Sequence, residues 1–170
     1  MFLRRLALVF AVSACAPVVL QAQSVTESLA SLHGVTQTNI MATAQLADAE
    51  LLAFRPTPEV RSTAQLLGHI ANAQYAFCSA AAGESNPQTE NFEETRTTKA
   101  GIIEALEMGF SYCEGVYDAM TDEAGARPVQ FIGPSTAHGV LAFNSAHNYE
   151  HYGNLVTYMR MNGIVPPSSR

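Results

Sequence analysis

From Ser24 to Phe54 the apolar positions Val25, Leu29, Leu32, Val35, Ile40, Ala44, Leu46 and Leu51 recur at roughly helical spacing among Ser, Thr, Gln and Asn. That pattern predicts a first amphipathic helix. Arg55-Pro-Thr-Pro58 ends it, because its two prolines cannot continue a helix and favour an extended connector. Ser62 or Thr63 then caps a second helix, Ala64 to Ala82, with Leu66, Leu67, Ile70, Ala73 and Phe77 on its apolar side and Gly83 as its stop. Residues 83–98 are polar, contain Pro87 and several acids, and read as a long surface loop without a core of its own. A third helix is expected over Lys99 to Thr121, its apolar side carrying Ile102, Ile103, Leu106, Phe110 and Val116. Gly125, Pro128, Gly133 and Pro134 mark a further loop, in which Val129-Gln-Phe-Ile132 is one strand-like piece. A last helix runs from Ser135 or Thr136 to Met161 and stops at Asn162-Gly163, before Pro166-Pro167. Four helices with no convincing set of strands bury their stripes most simply as an all-α, antiparallel four-helix bundle.

The N-terminus does not belong to that pattern. A basic start at Arg4-Arg5 precedes the apolar run Leu6 to Leu20, and Leu20-Gln-Ala22 offers a small residue for cleavage, so residues 1–22 read as a secretory signal peptide. The domain is then residues 23–170, exported to the periplasm or medium. Val12-Ser-Ala-Cys15 also resembles a lipobox that would make the chain a lipoprotein anchored through Cys15, and simple export is ranked above it. The run is too short for a stable membrane span. Removing Arg4 and Arg5 takes the formal charge from −6 to −8, which repels phosphate backbones and disfavours nucleic acid as a partner. With Cys15 removed, Cys78 and Cys113 remain. If the second and third helices are antiparallel neighbours joined near residues 83–97, these cysteines are not level, and buried thiols are expected.

Candidate chemistry lies in the histidines. His147-Asn-Tyr-Glu-His151 places two imidazoles about 40° apart around the helix axis and roughly 6 Å apart along it, so both can reach one ion. They sit in a polar stripe, Asn144, His147, Asn148, His151 and Asn154, on an otherwise apolar helix, and inward polar groups need partners. His69, in Leu66-Leu-Gly-His-Ile70, becomes the third ligand if the second and fourth helices meet. Three neutral imidazoles leave positions for water or substrate on a divalent ion such as zinc, nickel, iron or copper, the arrangement of a catalytic site. Glu150 lies about 100° from His151 around the helix, so solvent exposure or an indirect supporting role is expected of it. His33, in the polar part of the first helix, and His138, on the opposite side of the fourth, are left out. Tyr149, Tyr152 and Tyr158 are read as core or interface.

Ser62-Thr-Ala-Gln-Leu-Leu-Gly-His69, the run Ala146 to Arg160 around His147-Asn-Tyr-Glu-His151, and the ending Asn162-Gly-Ile-Val-Pro-Pro167 together resemble the DinB family of DinB/YfiT-like bundles. The resemblance covers nearly the whole mature chain. It implies an up-down-down-up bundle, a metal site at His69, His147 and His151, and a homodimer. It also implies chemistry similar to that of transferases or isomerases using low-molecular-weight thiols. An exported chain meets such thiols rarely, so a metal-dependent hydrolase acting on an unidentified small molecule is the leading expectation. A non-catalytic metal- or ligand-binding dimeric scaffold is the alternative.

Overall fold

The computed structural model describes residues 23–170; the expected signal peptide and Cys15 fall outside them. The chain forms α1 (Val25–Leu46), α2 (Ala49–Ala53), α3 (Thr63–Ala82), α4 (Phe92–Thr95), α5 (Lys99–Ala119), α6 (Asp122–Gly125), β1 (Pro128–Gln130), β2 (Pro134–Thr136) and α7 (Ala137–Met161). The four long helices are those the periodicity predicts, and they pack as an all-α bundle.

Local chemistry sets their ends. Ser24 and Ser62 each close a capping box, with Glu27 and Gln65 respectively, so both starts satisfy otherwise orphaned amides. Gly83 ends α3 at φ 80°, a left-handed turn that costs glycine little. The expected first helix is in fact two. The Asp48 side chain accepts from the Leu51 amide at 2.9 Å, and that new cap interrupts the ladder between Leu46 and Ala49. The strand-like piece before α7 is half of a short hairpin in which Val129 faces Ser135.

Helix directions follow from which ends meet. The Arg61 carbonyl, just before α3, accepts from the Tyr158 hydroxyl near the end of α7, so these helices are antiparallel. Thr26 at the start of α1 lies 2.8 Å from His138 at the start of α7, and Thr36 accepts from Asn148 further along, so α1 and α7 run together. α5 begins beside the end of α1, where Lys99 donates to the Gln45 carbonyl, and ends at Ala119, three residues before Asp122, which accepts from Thr26. The order is therefore up-down-down-up.

The long connector makes this possible. Residues 83–98 are not a loop without core contacts: Phe92 is 2% exposed and packs in the main apolar cluster with Leu66, Ile70 and Leu106. Asn72 receives Gln88 and the Phe92 amide, and holds Asn91 at 2.6 Å, so the connector runs back along α3. Its backbone lies so close that a Cβ on Gly68 would be 2.7 Å from the Phe92 carbonyl oxygen, which restricts that position to glycine.

This return corrects the expectation for the cysteines. Because α3 and α5 are parallel, Cys78, fifteen residues beyond Thr63, is level with Cys113, fourteen beyond Lys99. They form a fully buried disulfide with Cα atoms 5.3 Å apart. The antiparallel assumption, not the geometry of the residues, had put them out of register.

Between the helices lies a buried polar seam. Gln74 Oε1 meets His33 Nε2 at 2.9 Å and accepts from Asn144 at 3.0 Å, while Gln74 Nε2 donates to Asn148 at 2.8 Å. Asn148 in turn donates to Thr36 at 3.0 Å. The seam therefore ties α1, α3 and α7 together, and the disulfide ties in α5.

The cross-link closes a loop of 35 residues. Chain-entropy reasoning makes a closure of that size worth about 2–4 kcal/mol. Replacing both cysteines (Cys78→Ala with Cys113→Ala) is expected to lower stability by that amount in urea unfolding. Coincident curves for the two proteins would show that the bridge adds nothing.

Candidate metal centre

His69 on α3 and His147 and His151 on α7 are brought together, with one ring nitrogen from each lying within 4.8 Å of the others. His147 Nε2 is 3.1 Å from His69 Nε2 and 3.0 Å from His151 Nε2. An imidazole nitrogen offers one proton or one lone pair, so His147 Nε2 makes a good hydrogen bond with at most one of these neighbours. A cation taking a lone pair from each ring satisfies all three. Two nitrogens about 2.0–2.1 Å from a shared ion stand roughly 3 Å apart for an angle near a right angle, so the observed spacing fits that donor set.

The protonation state agrees with a ligand role. Burial, with His151 and His69 beside it, pushes His147 down to about 3. Burial also lowers His69, helped by the Arg61 guanidinium and opposed by Glu93. His151 falls for the same first reason, with His69 adding to it. All three rings are therefore neutral at ordinary pH.

Glu93 is the residue that the sequence pattern did not single out. Its Oε2 lies 3.2 Å from His69 Nδ1, and its Oε1 accepts from Arg61 Nε at 2.8 Å. Accepting from Nδ1 holds the His69 proton there and turns the Nε2 lone pair toward the other rings. Glu93 belongs to α4, and the only hint in the sequence was the isolated apolar Phe92 in a polar stretch, whose burial places its neighbour beside His69. The Nδ1 atoms of His147 and His151 are buried without a partner among the described residues.

The remaining candidates separate cleanly. Glu150 is exposed on α7, as the helical spacing predicts, and its charge opposes the lowering of His69 and His151. His138 lies at the far end with Thr26 and Asp122, away from the centre. His33, which is not part of the three-histidine group, is 2% exposed and not on a polar face; it joins Gln74 and packs on Phe110 and Tyr117. Burial lowers its pKa, with the Gln74 bond acting the other way. Asn144 and Asn148 face the core, whereas Asn154 is exposed and leaves the inward stripe. Tyr152 and Tyr158 are core residues, and Tyr149 is 40% exposed.

Comparison with known proteins agrees with the bundle. The family model described as the DinB superfamily matches residues 32–155. No curated protein matches the chain in sequence. Among solved structures, a DinB-like protein from Bacillus cereus ATCC 10987 superposes with a TM-score of 0.72 at 17% identity, covering 83% of this chain and 95% of that one. A DinB-like protein from Bacillus subtilis gives 0.67 at 19% identity, covering 80% and 92%. A mycothiol-dependent maleylpyruvate isomerase gives 0.63 at 16% identity, covering 79% of this chain and 63% of that one. At these identities the likeness is one of fold.

The lowered histidines give stability a pH dependence. His33, His69, His147 and His151 all titrate below the value of about 6.5 that they have when unfolded. Below that pH the unfolded chain therefore binds more protons, and stability falls as pH falls; above it these groups contribute no slope. Urea midpoints of the metal-free protein are expected to drop between pH 7 and pH 5, and to drop less in His147→Gln. A midpoint unchanged over that interval contradicts the assignment.

Proposed function

The chain belongs to the DinB superfamily, and on that premise we propose that it is an exported enzyme holding one divalent ion, zinc, nickel or iron, through His69, His147 and His151. The convergence of three neutral Nε2 atoms carries the reading. An ion bound there supplies Lewis-acid activation of a polar substrate group. Glu93 fixes the tautomer of His69, and the helical pair His147 and His151 provides the chelate. Three protein donors leave room for an exogenous ligand, and hydrolysis of a small molecule fits an exported chain better than thiol transfer. The buried disulfide supports export, since such bridges persist in oxidising compartments. No helix among the described residues is long and apolar enough to cross a membrane. For assembly as a homodimer, α1 offers exposed Val25, Leu32 and Val35 on a helix whose one charged residue is Glu27.

One observation favours the alternative, a non-catalytic metal-binding scaffold. Neither of the cavities of about 570 and 790 Å³ is lined by any of the three histidines, and the larger reaches the centre only at Glu93.

Elemental analysis of the purified mature chain tests the centre. About one equivalent of a divalent metal is expected in the wild type, with most of it lost in His69→Ala, His147→Ala and His151→Ala. Glu93→Gln, which keeps the shape but weakens the hold on His69, should lower metal affinity about 10- to 100-fold. A wild type that takes up neither zinc nor nickel, or a His147→Ala variant with undiminished metal, overturns the assignment. A mature N-terminus at Gln23 in the exported protein would bear out the cleavage site.

A further inference from the structure

The two flanks of the three imidazoles differ in chemistry. On the α4 side, Arg61 and His69 share the Glu93 carboxylate, one through Oε1 at 2.8 Å and the other through Oε2 at 3.2 Å. Only Arg61 Nε is used in that contact. Among the described residues no protein acceptor takes either terminal nitrogen of the guanidinium, and the Arg61 side chain is 43% exposed. A planar pair of free N–H donors thus stands beside the centre, the group best suited to a carboxylate or similar oxyanion.

Beside His147 stands an aromatic wall. The Phe77 ring centroid is 5.3 Å from that of His147, 5.5 Å from Phe143 and 5.0 Å from Phe131. Phe77 itself is buried, but Phe143, one turn before His147 on α7, is 46% exposed, and Ile132 at the hairpin tip is 75% exposed. An exposed apolar surface of this kind at the edge of a polar centre marks a place for an apolar group to bind.

We infer that the substrate class of this centre is a small apolar or aromatic oxyanion, its acid group held by Arg61 and its body lying on Phe143 and the neighbouring rings. This rests on the metal-centre reading above, because the ion would lie between the two flanks. Of the carboxylates whose charge reaches the three histidines, Glu93 is paired with Arg61 and Glu150 is exposed to solvent, while exposed charges farther than about 8–10 Å away are largely screened at physiological salt.

Benzoate is the probe, with acetate and benzamide as controls for the body and the charge. Binding is followed by ligand-observed NMR on zinc-loaded and metal-free protein, after the metal content of each has been measured. Benzoate is expected to bind the loaded wild type at least tenfold more tightly than either control, because each control lacks one of the two contacts. Arg61→Gln should weaken benzoate about tenfold or more while benzamide is unaffected. The backbone carbonyl of residue 61 still receives Tyr158, so the fold is retained. Phe143→Ser, at an exposed position, should weaken benzoate but leave acetate unchanged. Full zinc content with benzoate no tighter than benzamide, or with Arg61→Gln binding benzoate as the wild type does, overturns this inference and leaves the metal reading standing. Absence of zinc overturns the metal reading; in that case Arg61-dependent binding of benzoate by the metal-free chain keeps the oxyanion site, and no binding removes both.

Discussion

A carboxamide buried among apolar helices must have its hydrogen bonds supplied by the protein, because each unpaired group costs about 1–3 kcal/mol. Gln74, fully buried on α3, meets that requirement by taking His33 and Asn144 on its oxygen and giving to Asn148 and the Ile70 carbonyl from its nitrogen. Its partners come from α1 and α7 as well as its own helix. Sliding α7 by one turn, about 5.4 Å, would orphan several of these groups together. The register of α7 against α3 is therefore held by polar satisfaction as well as by packing. Asn144 and Asn148 lie on the same helix as His147 and His151, so that register also decides which residues stand opposite His69.

The other fixed relation is between α3 and the returning connector. Phe92 is drawn into the core, Gly68 leaves room for its backbone, and Asn72 captures the chain at Gln88, Asn91 and the Phe92 amide. Glu93 is carried to His69 as a consequence. One apolar anchor thereby performs two tasks: it turns residues 83–98 into a crossover that makes α5 parallel to α3, and it supplies a carboxylate to the centre. The level pairing of Cys78 and Cys113 follows from the same crossover.

The centre itself runs against the preferences of a stable core. Two of its imidazole Nδ1 atoms are buried without partners among the described residues, and three rings that repel one another when charged are kept neutral by burial. Such local costs are characteristic of positions retained for binding, and the hydrogen-bonded seam below them, in which Asn144 Oδ1 is itself left without a partner among the described residues, offsets part of the loss. The guanidinium reaches His69 through Glu93 and the aromatic wall borders His147, so the surroundings differ in charge from one ring to the next.

Much of this was legible in the chain of letters. Helical periodicity gave the four long elements, and Ser62, Gly83 and Asn162-Gly163 marked their ends, because these signals act within a few residues. The pair His147 and His151 was likewise visible, since an i,i+4 spacing puts two rings on one face whatever the fold. Local spacing could not say that residues 83–98 return along α3, and so could not place Glu93, or set Cys78 level with Cys113. It also put His33 on a polar face, where only the neighbouring helices reveal that Gln74, Phe110 and Tyr117 enclose it. The sequence by itself determined which faces of which helices seek burial. Only the tertiary structure decided which faces meet, because that choice depends on satisfying buried polar groups drawn from segments as many as 112 residues apart.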